Sequence, residues 1–212
     1  MHSLFRSTGN HGNVVFNFLG SPVEDLTAFA SGYRQAGRTV AARLADLPGY
    51  PDYDGYPVLF LYRHALELYL KAIVYRGARL LKLICDENVD TEKLFQNHRL
   101  ARLLPAIRAI FKEMQWGVDG SGFTSPDDFE SFICDLDKLD PKGDAFRYPI
   151  RADGNSACLP EHFVVNVVEF SERMDKLMGF LEGAAELIRE NWNAEAEARY
   201  ELEQLSAEWQ NA

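Results

Sequence analysis

Four polar residues able to bind anions or transfer protons lie close together in an otherwise apolar stretch. Within residues 62–71 they are Arg63, His64, Glu67 and Lys71. On an α-helix these four side chains share a sector of about 100°. Glu67 can reach each of the other three side chains along such a helix. In one interpretation Glu67 orients His64 for proton transfer while the cations bind an anion. The alternative is a salt-bridged stripe that faces solvent.

Two further segments carry residues suited to the same chemistry. His98 lies near the predicted start of a helix, where a capping or core-edge role is the alternative. Arg147 stands between two aromatic residues and close to a proline, as expected of a loop side chain that reaches into a cleft. The alternative is a loop anchored by its aromatics, with Arg147 capping a helix. We predict as catalytic His64, Glu67 and His98, and as ligand-binding Arg63, Lys71, Arg147 and Tyr148.

The sequence lacks the common motifs for nucleotide, nucleophile and zinc chemistry. It contains no GxxxxGK[ST], GxGxxG, GxSxG or HExxH pattern. We therefore expect no cofactor and no metal. A zinc centre made from His64, His98 and a carboxylate is the alternative that these residues leave open. The three cysteines are widely spaced, which indicates reduced thiols.

Helical periodicity predicts five helices that would position these residues. They span residues 22–47, 56–84, 97–116, 126–139 and 162–209. Pro105 predicts a kink or break in the third helix, and residues 48–55 and 140–160 are predicted to be loops. The fifth helix would be about 70 Å long, which is too long for a compact domain. We therefore expect either an interruption, at Gly179, Gly183 or residues 191–193, or a projecting end.

The predicted fold class is all-α. We expect an irregular N-terminal arm over residues 1–21, a helical bundle over residues 22–190, and an acidic C-terminal helical extension over residues 191–212. The second helix is apolar around most of its circumference, which predicts a central position. On the first helix the periodicity predicts a buried face made of Leu26, Phe29, Tyr33, Val40 and Leu44.

Charge is distributed unevenly along the chain. The 22 Lys and Arg residues against 32 Asp and Glu give a net charge of −10, which argues against duplex nucleic-acid binding by the whole surface. Residues 63–112 nevertheless hold ten basic and five acidic residues. This surplus predicts either a local basic patch or ordinary solvated helix faces. No apolar run long enough for a membrane span and no signal peptide is present, so we expect a cytoplasmic protein without membrane partners.

Together, residues 62–71, the segment Asn97-His98-Arg99-Leu100, the segment Phe146-Arg147-Tyr148-Pro149 and the long closing helix resemble the HEPN (higher eukaryote and prokaryote nucleotide-binding) helical proteins. The resemblance covers roughly residues 56–185. It implies a helical bundle, usually dimeric. Many members are metal-independent RNases of toxin–antitoxin, abortive-infection or other defence systems, and some are paired with a nucleotidyltransferase-like partner.

The sequence departs from that family at the RNase motif. In RNase members an Arg and a His four to six residues later lie in a late helix, whereas here that spacing occurs only at Arg6 and His11, in the predicted arm. The family's catalytic residues are therefore not transferred. We expect a nucleotide- or RNA-binding protein of a prokaryotic defence or stress system that forms a homodimer and has an antitoxin-like protein partner. Metal-independent RNA cleavage is the corresponding enzymatic hypothesis, and a non-catalytic helical interaction or scaffold module is the alternative.

Overall fold

The computed structural model describes residues 26–46, 52–85, 91, 93–151 and 153–210. Within these ranges the secondary structure is helical, apart from an isolated bridge between Ile150 and Ala157, so the all-α prediction is confirmed. The predicted N-terminal arm lies outside the described residues. None of the described helices has the length and hydrophobicity that crossing a membrane requires. The α-helices are α1 (Leu26–Ala45), α2 (Asp52–Cys85), α3 (Leu104–Glu113), α4 (Pro126–Leu139) and α5 (Val167–Gln210), and a 3-10 helix (Leu100–Leu103) precedes α3.

Helix α2 is the centre of the bundle, as its apolar circumference predicts. It packs against α1, α3 and α5, and Tyr62, Leu66 and Leu70 on it are completely buried. Because neighbouring helices cover it on several sides, any polar side chain of α2 must find its partners inside the protein. This position decides the environment of Arg63 and Glu67.

Helix α1 buries most of its predicted face, with one exception and with additional small residues. Leu26 is buried, and Tyr33, Val40 and Leu44 are partly buried and pack against the core. Phe29 is exposed, and the fully buried positions include Ala30, Gly37 and Ala41. Small residues let α1 approach α2 closely: a Cβ at Gly37 would lie only 3.1 Å from the ring of Tyr62. The buried face of α1 thus combines the predicted large residues with small ones, and a search for large apolar residues does not detect the small ones.

The start of α2 also differs from the prediction. Residues 52–55, predicted to be a loop, form its first turn. Asp52 and Asp54 place two carboxylates at the positive end of the helix dipole, which favours this early start. Pro57 lies inside the helix and removes one backbone hydrogen bond near its beginning.

Local signals predicted a break in the third helix and the start of the fourth, although the third helix begins at Leu100 and ends at Glu113 instead of spanning residues 97–116. The predicted break near Pro105 is confirmed, because the 3-10 helix ends at Leu103 and Pro105 lies in the first turn of α3. The predicted start of α4 is confirmed as well. The Ser125 hydroxyl accepts a hydrogen bond from the amide of Asp128 at 3.1 Å, which caps the helix.

Helix α5 begins later than predicted and is continuous. It starts at Val167, after the Asn166 side chain has accepted a hydrogen bond from the amide of Glu169. Its 44 residues correspond to about 66 Å, and the expected interruption at Gly179, Gly183 or residues 191–193 is absent. The alternative of a projecting end is found instead. Burial on α5 ends near Ile188, and almost every described side chain beyond Trp192 is exposed.

Gly77 is required for the packing of α2 on α3. A Cβ at this position would lie 2.4 Å from Cδ1 and 2.7 Å from Cγ1 of Ile110, which is itself completely buried. We expect Gly77→Ala to lower the free energy of unfolding by about 1–3 kcal/mol, although alanine favours helix by about 1 kcal/mol. Urea denaturation measures this change.

Gly32→Ala is the matched control for Gly77→Ala. Gly32 is also inside a helix, but nothing lies within 4 Å of the added Cβ, so this substitution should raise stability by up to about 1 kcal/mol. If both glycine variants were stabilised, the close approach of α2 and Ile110 would not limit the packing.

Candidate functional site

The polar residues of α2 form a buried network instead of an exposed stripe. Arg63, Glu67 and Lys71 are 1%, 3% and 3% exposed. One Glu67 oxygen accepts a hydrogen bond from Arg63, and the other accepts one from Lys71 at 2.7 Å. Burial would raise the pKa of Glu67, but the hydrogen bond and charge of Lys71, with the charge of Arg63, hold it below its usual value. Glu67 is thus a carboxylate held ionised inside the bundle.

Asp140 completes this network from outside α2. It is completely buried at the end of α4, and one carboxylate oxygen accepts hydrogen bonds from the amides of Asp144 and Ala145 at 2.8 and 2.9 Å. The other oxygen lies 3.2 Å from Arg63 Nε, an ion pair by distance without a hydrogen bond between the two atoms. Arg63 therefore has a carboxylate on each side, and Asp140 ties the loop after α4 to the central helix.

His98 lies over the buried network with its ring in solvent. Its Nδ1 is 2.9 Å from a Glu67 oxygen, while its side chain is 56% exposed and that of Glu67 only 4%. Arg63 donates a hydrogen bond to the backbone carbonyl of His98 at 2.6 Å, which attaches the backbone at His98 to α2. A carboxylate that binds one ring nitrogen orients the imidazole and leaves Nε2 available to a ligand.

Two neighbours of His98 hold its segment in place. Arg99 donates twice to a carboxylate oxygen of Asp137 on α4, at 2.8 and 2.9 Å. The Asn97 side chain accepts from the amide of Arg99 and donates to its carbonyl, which closes the turn. The position of His98 is thus set by side-chain contacts with α2 and α4 and does not depend on a helix of its own.

His64 lies one helical turn from Glu67, between two aromatic rings. It stacks on Phe60 at a centroid distance of 5.8 Å and meets the edge of Tyr33 at 4.4 Å. Burial lowers the pKa of His64. Glu67 opposes this shift, and the positive charges of Arg63 and other nearby cations add to it. His64 is therefore neutral at pH 7 and able to accept a proton.

The loop after α4 brings Arg147 to the same part of α2. Its guanidinium lies 5.5 Å from the ring centre of Phe60 and 5.6 Å from that of Tyr148, in cation–π geometry. Phe146 is buried and anchors the loop, whereas Tyr148 is 56% exposed. The alternative, in which both aromatics anchor the loop, is thus found for Phe146 alone.

Three of the seven predicted residues are buried, His64 is half-buried, and the other three are exposed. Arg63, Glu67 and Lys71 are buried, and the carboxylates of Glu67 and Asp140 balance the two cations, whose charges do not face solvent. The remaining four are joined to α2 by the contacts described above. His64 and Arg147 both contact Phe60, and Tyr148 contacts Arg147. His98 contacts Glu67. We call these four the imidazole–guanidinium face.

Sequence reasoning missed two residues that build this face. Asp140 could have been noticed as the acid that ends α4 directly before Pro141. Phe60 could have been noticed because it lies four residues before His64, on the same side of the helix. Neither signal reveals that these residues contact Arg63 and Arg147.

At least half of the basic residues in the middle segment are engaged by groups of the chain itself. Arg76 is buried and donates to the carbonyl of Ala185 at 3.3 Å, while Arg108 pairs with Glu130. Together with Arg63, Lys71 and Arg99, half of the ten cations in this segment are therefore engaged with groups of the chain itself. This arrangement does not support a broad basic patch, and it limits phosphate contacts to a small face.

We also searched the described residues for cavities and for groups of possible metal ligands. An apolar cavity of about 520 Å³ lies near the start of α2, and none of the seven predicted residues lines it. In the part of the chain that the structure describes, no three His, Cys, Asp or Glu side chains are grouped to hold a metal ion. Comparison with known protein-family models, curated proteins and solved structures finds no match for this chain.

Burial of His64 predicts a pH-dependent stability. Its folded pKa lies below the unfolded value of 6.5, so the unfolded chain binds a proton more readily. The contribution is complete above about pH 6.5 and is lost as the pH falls below it. We expect His64→Phe, which keeps a ring between Tyr33 and Phe60, to reduce the fall in melting temperature between pH 7 and pH 5.

His162→Asn provides the control for this pH dependence. The His162 side chain is 90% exposed and lies 3.5 Å from Glu161. Removing this imidazole should leave the slope of melting temperature against pH unchanged. Equal slopes for the wild type and both variants would show that His64 does not contribute.

Proposed function

We propose that the imidazole–guanidinium face binds a nucleotide or RNA through its phosphate. Arg147 supplies the charge-assisted donor, and the exposed ring of Tyr148 offers a surface on which a base can stack. The single observation that carries the proposal is the contact of the exposed His98 imidazole with the buried carboxylate of Glu67. An ionised carboxylate buried against an exposed imidazole is a costly arrangement that a merely structural histidine does not need.

The same geometry supports RNA cleavage without a metal. His98 would take the proton of a ribose 2′-hydroxyl, the 2′ oxygen would bond to phosphorus, and the bond to the 5′ oxygen would break. Arg147 would stabilise the charge on the phosphate oxygens, and water would return a proton to the leaving oxygen. His64, kept neutral by burial, is the second candidate for the proton acceptor. Arg63, Lys71 and Asp140 act in this proposal as positioning residues.

The biological setting stays a proposal that rests on the HEPN resemblance. It favours a prokaryotic defence or stress system, a cytoplasmic location, an antitoxin-like partner and a homodimer. For the dimer, two exposed small residues on α5, Gly179 and Gly183, would allow a second helix to approach closely, whereas the neighbouring Ala184 is buried within its own chain.

Variants of the exposed face test the proposal directly. We expect Arg147→Ala to weaken binding of a labelled single-stranded RNA by about 1.5–3 kcal/mol without changing the melting temperature, because its guanidinium lies over ring faces and not in the core. His98→Ala should lower any cleavage by at least about 100-fold, and EDTA should not affect that cleavage. Binding is measured by fluorescence anisotropy and cleavage by gel electrophoresis.

Two surface residues away from the face serve as controls. Arg108→Ala removes a cation that pairs with Glu130, and His162→Asn removes an exposed imidazole; neither should change RNA binding or cleavage. No measurable affinity for RNA or for nucleotides, or equal losses in the Arg147 and Arg108 variants, would contradict the proposal.

A non-catalytic interaction module is the second candidate. The observation that favours it is the projecting end of α5, which is helical and exposes large apolar side chains, among them Leu202 and Trp209. The two functions can coexist, because none of the four residues of the imidazole–guanidinium face lies on α5.

A further inference from the structure

The projecting end of α5 has one apolar side. We define the free end as residues 193–210. At 100° per residue its apolar stripe occupies a sector of about 80°. The three large members are Leu202, Leu205 and Trp209, exposed by 65%, 52% and 83%, and the stripe is completed by Ala194 and Ala198.

An apolar stripe on a helix normally packs against another part of the protein or against a partner. In a helix that packs on nothing, neighbouring leucine and tryptophan side chains contribute only small i,i+3 and i,i+4 contacts. Helices gain most of their stability from covering an apolar face. Core contacts of α5 end near Ile188 and Trp192, and the described part of the chain does not cover the stripe. Within the described part of the chain, the stripe is therefore a surface open to a partner molecule.

Charge indicates what that molecule is. Glu197 and Glu201 follow one edge of the stripe, Glu190 continues the same edge toward the bundle, and Glu195 lies on the opposite edge. Arg199 is the only cation in the free end, which contains five glutamates. In an antiparallel pair of free ends, the edge with Glu197 and Glu201 would face its own copy, and like charges beside an apolar seam oppose association.

We propose that the free end docks an amphipathic helix of a different protein, whose apolar seam is flanked by lysine or arginine. Leucine and tryptophan side chains would be buried between the two helices, and the glutamate edges would pair with the partner's cations. This inference is independent of the imidazole–guanidinium face, which is built from α2 and from the segments that precede the 3-10 helix and follow α4.

Two designed peptides test the proposal. Each contains about three heptads with leucine at the seam positions; one has lysine and the other glutamate along both flanks. We expect the full-length protein to bind the labelled lysine-flanked peptide and to bind the glutamate-flanked peptide at least about tenfold more weakly, in fluorescence anisotropy. Added salt should reduce this difference.

Variants separate the stripe from general acidity. Leu202→Ala with Leu205→Ala should weaken binding of the lysine-flanked peptide by at least about tenfold, at unchanged net charge. Tyr200→Ala is the matched control, because Tyr200 is 63% exposed on the opposite side of the same helix. Glu197→Lys with Glu201→Lys should transfer the preference toward the glutamate-flanked peptide.

Three results would overturn the proposal. The first is equal binding of the two peptides. The second is an equal effect of the leucine and Tyr200 variants. The third is a dimer, seen in light scattering of the wild type, that the leucine variants abolish, because a second copy would then occupy the stripe.

Discussion

Replacement of Glu67 by alanine is expected to lower the free energy of unfolding by about 3–5 kcal/mol. Arg63 and Lys71 are both almost completely buried, and each donates a hydrogen bond to this carboxylate. Removing it leaves two cations in a low-dielectric interior with one carboxylate, Asp140, beside Arg63. The loss of the contact with His98 should also reduce binding of RNA or nucleotide. Urea denaturation measures the first effect and anisotropy the second.

The comparison with Glu130→Ala distinguishes a buried pair from an exposed one. Glu130 pairs with Arg108, whose side chain is 66% exposed, so its loss should cost less than about 1 kcal/mol. Glu67→Leu combined with Lys71→Met should recover part of the loss, because one unpaired ammonium is removed. If Glu67→Ala and Glu130→Ala were equally mild, the buried network would not exist in solution.

Replacement of Asp140 by alanine is expected to cost about 3 kcal/mol, which is the penalty for breaking a buried ion pair. It removes the carboxylate beside Arg63 Nε and the acceptor for the amides of Asp144 and Ala145. The loop that carries Arg147 should then open. We therefore expect faster hydrogen exchange at residues 144 and 145 and weaker RNA binding together with the loss of stability.

Asp140→Asn and Asp135→Ala complete this experiment. Asparagine keeps an acceptor for the two amides and loses the charge, so its effect should be intermediate. Asp135 is on the same helix, but its side chain is 66% exposed and pairs with Lys138; alanine there should change stability by less than about 0.5 kcal/mol. Unchanged exchange at residues 144 and 145 in Asp140→Ala would show that another group holds the loop.

The sequence alone determined the helices and some of their ends. Periodic apolar residues are a local property, so they predicted five helices and the central position of α2. Local hydrogen bonding and sterics likewise predicted the Ser125 cap and the break near Pro105, because both depend on residues only a few positions apart. The polar spacing of Arg63, Glu67 and Lys71 was visible too, since it follows from one helical turn.

Only the tertiary structure decided which of these residues are buried and which face solvent. The spacing on α2 was equally compatible with an exposed stripe, and its burial depends on coverage by α1, α3, α5 and the loop after α4. Contacts from Arg63 to Asp140 and from His98 to Glu67 join positions 77 and 31 residues apart, which no local pattern encodes. The small buried residues of α1 and the uninterrupted course of α5 past Gly179 and Gly183 were decided in the same way, because α1 and this part of α5 pack against neighbouring helices.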